Sequence, residues 1–129
     1  MTAADVPVAL RRLDSRIKLS AERVCRMCER DRDVRPLTRH HLVPSRWFRH
    51  HAPPAVAGYR NAKANVVPLC RPCHVLVESP DPTIRIPARR MLRRALSQAE
   101  IAFIVAVRGK SWLDRTYPPS RRNRRRRLS

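Results

Sequence analysis

The spacing of apolar residues changes along the chain, and each change predicts an element. Leu10, Leu13 and Ile17 recur at helical spacing with Arg11, Arg12 and Arg16 between them, which predicts a short amphipathic helix within a leader of residues 1–20. Asp5 and Asp14 count against reading that leader as an organelle presequence. Leu37 to Pro44 reads as a strand that ends at Pro44, because proline supplies no strand N–H. Asn65-Val66-Val67-Pro68-Leu69 reads as a second strand. Between them, residues 45–64 form a long connection containing Pro53-Pro54, Gly58, Trp47, Phe48, His50, His51 and Tyr59. Loops of that length are uncommon unless they are functional. Arg71 through Ser79 reads as a short helix, with Pro72 in its first turn and Pro80 and Pro82 as stops.

Residues 83–117 read as helical and packed. Ser97-Gln98-Ala99-Glu100 matches a capping box ahead of the apolar run Ile101 to Val107. That run is hydrophobic nearly all round, which predicts a buried helix. Gly109 is its expected C-terminal cap, and Trp112 and Tyr117 are placed to pack back onto it. Residues 118–129 carry Arg121, Arg122, Arg124, Arg125, Arg126 and Arg127, a block of like charge expected to be disordered in isolation. It reads as a nucleic-acid arm or a nuclear localisation signal. The resulting division is a leader at 1–20, a central domain at 21–80, a helical extension at 81–117 and a basic tail at 118–129.

Composition narrows the class. A chain of 129 residues with 5% aromatic and 30% charged residues has room for one modest core. Such cores usually need a staple, and four cysteines in two Cys-x-x-Cys pairs favour a metal over disulfides. No apolar stretch is long enough to span a bilayer, and no secretory pattern opens the chain. The expected location is therefore intracellular, where thiols stay reduced, and nuclear if the host is eukaryotic. The net charge of +19 makes polyanions the natural partners. Lysine occurs only at Lys18, Lys63 and Lys110, so the excess is arginine, whose planar fork suits phosphate. Nucleic acid is the expected partner, with a membrane surface a distant second. The bland reading is a solvated basic surface, or a coding bias toward arginine.

The candidate chemistry lies between the cysteine pairs. Cys25, Cys28, Cys70 and Cys73 can close a tetrahedral Zn²⁺ site of structural type. On a helix starting near Arg71, His74 is rotated about 100° from Cys73 and faces away from that zinc. Glu78 lies four residues on, on the same face as His74, so the two can converge on one cation. Glu78 also reads as a solvated helix carboxylate. His40 and His41 are neighbours on a strand and point to opposite sides, so one can ligate the cation while the other holds a water. Imidazole is a suitable base near neutral pH. Ordinary surface histidines, or histidines that only support a ligand, and a turn role for Asn65, are the plain alternatives. His50 and His51 read as solvent-facing loop residues. Cys70-Arg71-Pro72-Cys73-His74 also matches a c-type haem attachment sequence, but the second cysteine pair completes a zinc ligand set.

Taken together, Cys25-x-x-Cys28, His40-His41-Leu42-Val43-Pro44, Asn65 and Leu69-Cys70-Arg71-Pro72-Cys73-His74 resemble the HNH endonucleases, over roughly residues 25–79. A narrower likeness is to the small HNH-domain proteins common in fungi. The resemblance implies an α+β fold: a small ββα-metal, treble-clef-like core stapled by a four-cysteine zinc, with flanking helices. It implies His40 and His74 as ligands of a catalytic cation, His41 as general base and Asn65 as the residue orienting the base and its strand. Many members carry a histidine where this chain has Glu78. A carboxylate there suits a hard cation, so Mg²⁺ or Mn²⁺ is expected, with Zn²⁺ or Ni²⁺ as further options. The implied activity is metal-dependent hydrolysis of DNA, with RNA as an alternative substrate and Arg39, Arg71 and the tail arginines on the backbone. Double-strand cutting would favour a dimer. The rival from another class is a non-catalytic zinc module that binds nucleic acid.

Overall fold

The computed structural model describes residues 24–30 and 36–120. The predicted leader helix and the arginine block at 121–127 lie outside the described residues.

Strands β1 (Leu37–His41) and β2 (Val66–Cys70) pair antiparallel, with Arg39 opposite Pro68 and His41 opposite Val66. Both are edge strands, so Pro68 costs no interior ladder bond, and its carbonyl instead accepts the Arg26 amide at 2.9 Å. That bond fixes the Cys25–Cys28 turn against β2. The turn itself is closed by Glu29 N–H on the Cys25 carbonyl and by Cys25 N–H on the Arg30 carbonyl, with Glu29 in the left-handed region at φ 61°.

The connection read as a loop contains structure. Helix α1 (Ser45–His50) and helix α2 (Pro54–Ala57) precede a 3₁₀ turn at Lys63–Asn65. Prolines placed at helix starts explain the shift. Pro54 sits in the first turn of α2, where a missing N–H is harmless. Phe48 of α1 and Val56 of α2 are buried, which holds these short helices in place. Asn65 ends the 3₁₀ turn, so β2 starts one residue later than expected. His50 ends α1 and His51 is its C-cap in the following turn, both exposed.

Helix α3 (Arg71–Val77) follows β2 directly and completes a ββα core, making the protein α+β. Three helices then cover it: α4 (Pro82–Ala95), α5 (Gln98–Arg108) and α6 (Lys110–Thr116). Pro82 opens α4 rather than only stopping α3, because Asp81 caps it by accepting the Thr83 amide. The predicted capping box at Ser97 and Glu100 is present. Helix α5 buries Phe103 and Ile104 but leaves Val105 39% exposed. A core this small has no second layer to cover the far side of an all-apolar helix.

Glu100 does more than cap. Its carboxylate, 1% exposed, also accepts from Arg26 inside the Cys25–Cys28 turn, so α5 is tied to that turn. Removing one partner of a buried ion pair strands the other charge. Glu100→Ala is therefore expected to cost about 3 kcal/mol, read as a lowered denaturant midpoint. On the far side, the Arg108 guanidinium lies between Trp47 of α1 and Trp112 of α6, at 4.8 and 4.7 Å from their ring centres.

Candidate active site and metal centres

The sulfurs of Cys25, Cys28, Cys70 and Cys73 lie within 4.8 Å of one another, and those of Cys28 and Cys70 are 3.6 Å apart. Tetrahedral thiolates bound at about 2.3 Å stand about 3.8 Å apart, so the donor set fits one metal ion. Burial, together with the neighbouring sulfurs, pushes the Cys28 and Cys73 thiols up. Four crowded sulfurs disfavour their own ionisation, and a bound dication reverses that balance.

A second cluster joins His40, His74 and Glu78. His40 is 1% exposed on the β1 face that packs on α3. Its Nε2 lies 3.0 Å from the Tyr117 hydroxyl, which donates to the Leu42 carbonyl at 2.7 Å. The hydroxyl has one hydrogen, so it must accept from His40, and Nε2 carries a proton. Nδ1 of His40 then points a lone pair at Glu78 Oε1 from 3.0 Å, and it has no hydrogen-bond partner. Two electron-rich atoms at that distance need a positive charge between them. A second proton on His40 or a metal cation would supply it.

His74 reads the same way. Thr38 Oγ1 donates to the Leu69 carbonyl at 2.8 Å and so accepts from His74 Nδ1 at 2.6 Å. Nε2 of His74 is left as a ligand nitrogen. Burial, with the His40 charge second, lowers the His74 pKa, and the imidazole stays neutral further into acid. A proton on His40 Nδ1 would bond to Glu78 and hold its carboxyl below the usual range, against the opposing effect of burial. Both shifts keep donors ready for a cation at neutral pH. Cation affinity at this cluster is expected to fall as pH drops through the histidine range, because protons compete for the same lone pairs. Mn²⁺ binding that stays constant on acidification would contradict this.

His41 lies on the opposite face of β1. Its Nε2 donates to Asn61 Oδ1 at 2.8 Å, which leaves Nδ1 as the basic nitrogen. Asn61 and Arg39 line a groove of about 220 Å³ together with Lys63 and Pro68. Arg71 is exposed at the start of α3.

Asn65 does not touch the His41 ring. Fully buried, it accepts the Val43 amide at 2.8 Å and donates to the carbonyls of Val43 and Arg60. Its own carbonyl takes the Leu42 amide. It therefore clamps the backbone just after His41, while Asn61 turns the ring. Asn65→Ala strands several buried backbone groups and is expected to cost on the order of 3 kcal/mol, seen in thermal melting.

The family model for the HNH endonuclease matches residues 25–79. Residues 25–79 form an HNH domain. No curated protein and no solved structure matches the chain. The HNH domain contains both metal clusters and His41, but not all of their supports. Tyr117 and Arg89, whose guanidinium lies 4.0 Å from Glu78 and 5.4 Å from the Tyr117 ring centre, come from helices after it. Asn61, Thr38, Arg89 and Tyr117 carry no spacing signal that sequence reasoning could use. Among the described residues no helix is long and apolar enough to cross a membrane.

Proposed function

We propose that this chain is a metal-dependent endonuclease that hydrolyses DNA phosphodiester bonds. The observation that carries the reading is the buried His40 Nδ1 lone pair facing Glu78, with His74 beside them and His41 at the end of the same strand. His40, His74 and Glu78 would hold Mg²⁺ or Mn²⁺, and the four cysteines would hold structural Zn²⁺. The catalytic cation supplies Lewis-acid stabilisation of negative charge at the phosphate. His41 Nδ1 would take the proton from a water that attacks phosphorus in line, the bond to the 3′ oxygen would break, and that oxygen would take a proton from solvent water. The products are a 5′-phosphate and a 3′-hydroxyl. Asn61 keeps Nδ1 directed outward by holding Nε2, and Asn65 keeps the strand end in place.

Arg39, Arg71 and the arginines of the 121–127 block would grip the backbone. Phosphate contacts position DNA without reading its sequence, so sequence preference is expected to be weak. Affinity is expected to fall about 10³-fold or more between about 50 and about 200 mM salt. Near-constant affinity over that range would sink the electrostatic account.

Supercoiled plasmid incubated with the protein and Mg²⁺, Mn²⁺, Ni²⁺ or Zn²⁺, against an EDTA control, tests the reading. The expected result is nicked or linear DNA that EDTA prevents. Absence of cleavage with every metal, alongside tight DNA binding, would favour a non-catalytic nucleic-acid-binding module. Glu78, where many family members carry histidine, is the feature that favours this second reading.

A further inference from the structure

We propose that Tyr117, which lies outside the HNH domain, is a positioning residue that sets the tautomer of His40 and aims its Nδ1 at the catalytic cation. The inference rests on the reading of His40, His74 and Glu78 as a cation site.

Two hydrogen bonds at the tyrosine hydroxyl and one at its backbone carbonyl define the geometry. The hydroxyl donates to the Leu42 carbonyl and accepts from His40 Nε2, so it accepts a proton from only one tautomer of that ring. A ring protonated on Nδ1 instead would place two lone pairs between Nε2 and the hydroxyl oxygen. The Tyr117 backbone carbonyl is held in turn by Arg93 at 2.8 Å, and the same Arg93 nitrogen lies 3.0 Å from Asp114. The ring is 1% exposed and meets the His40 ring edge-on at 6.3 Å between centres. Tyr117 is thus fixed at both ends, and through it α4 and α6 fix His40.

The same hydroxyl couples two parts of the site. Leu42 follows His41, and its amide is bound by the Asn65 carbonyl. One oxygen therefore links the first ligand to the backbone that carries the base. Thr38 does for His74 what Tyr117 does for His40, but from within the domain. A partner that fixes the tautomer of a ligating histidine typically governs metal affinity by about 10–100-fold. A buried tyrosine with a merely structural role needs only the Leu42 carbonyl.

The test is Mn²⁺ binding to zinc-loaded full-length protein, followed by electron paramagnetic resonance. Tyr117→Phe keeps the ring and removes the oxygen. The expected result is Mn²⁺ affinity weakened about 10–100-fold, with zinc content unchanged. In a His40→Ala background the same substitution is expected to have no further effect on Mn²⁺, because its path runs through His40. An equal loss in both backgrounds would show a structural role and overturn the proposal. Unaltered Mn²⁺ affinity in Tyr117→Phe would overturn it while leaving the cation site standing. Wild-type protein whose Mn²⁺ binding ignores His40→Ala would remove the underlying reading as well. Independently of any variant, nitrogen chemical shifts of the metal-free wild type are expected to show His40 protonated at Nε2. A ring protonated only at Nδ1 would overturn the assignment.

Discussion

His41→Ala is expected to reduce plasmid cleavage by at least about 10²-fold, and up to about 10⁴-fold, which is the usual contribution of a positioned general base. DNA affinity and melting temperature are expected to stay close to wild type. The reason is geometric. His41 is half-buried, its ring nitrogen bonds to the exposed Asn61, and the backbone around it is held by Asn65 whatever side chain it carries. The histidines of the cation cluster lie on the other face of β1 or on α3, so their contacts survive. Asn61→Ala should give a smaller loss of rate, since it frees the ring without removing the nitrogen. Cleavage rates at saturating DNA, with binding measured separately, check both. A His41→Ala protein that cuts at the wild-type rate would remove His41 from the chemistry.

Cys73→Ser is expected to abolish the folded core. Structural zinc in small domains contributes about 10–16 kcal/mol of binding free energy, against a net domain stability of about 5–15 kcal/mol. Cys73 is buried and stands in the first turn of α3, and a metal held there would also gather Cys70 from β2 and the turn from Cys25 to Cys28. Losing it detaches three elements together, and Glu100 would lose its purchase on Arg26. Loss of zinc with loss of a cooperative melting transition is the expected result. A variant that keeps zinc and melts normally would rule out the four-cysteine site. By contrast, His74→Ala should keep zinc and melting while losing the second cation, which separates the two centres.

Much of the core could be read without coordinates, because metal ligands carry their geometry in their spacing. Cys70 and Cys73 share a helix turn, and His74 and Glu78 occupy the next face, so the cysteine cluster and two members of the second were legible from residue separations, while the choice of His40 over His41 came from the family resemblance. Both strands were found, but β1 ends at His41, three residues before the proline expected to close it, and Pro44 instead stands at the N-cap of α1. The helices of the 45–64 segment were not found, since they are too short for a repeating apolar face and are held by single anchors such as Phe48 and Val56. Asn65 was found as a residue, but its partners were not, because hydrogen bonds to backbone leave no pattern in sequence. Tyr117 lies 77 residues from His40, and only the packing of α4 and α6 brings it there. It looked like a core aromatic, which it also is.

The most direct measurement is a titration of zinc-loaded protein with Mn²⁺, following plasmid cleavage rate and Mn²⁺ occupancy together. Cleavage that is absent before Mn²⁺ is added and rises with the same midpoint as occupancy of the His40 site is the expected result. Full occupancy without cleavage, or cleavage that ignores occupancy, would contradict a metal-dependent nuclease built on His40, His74 and Glu78.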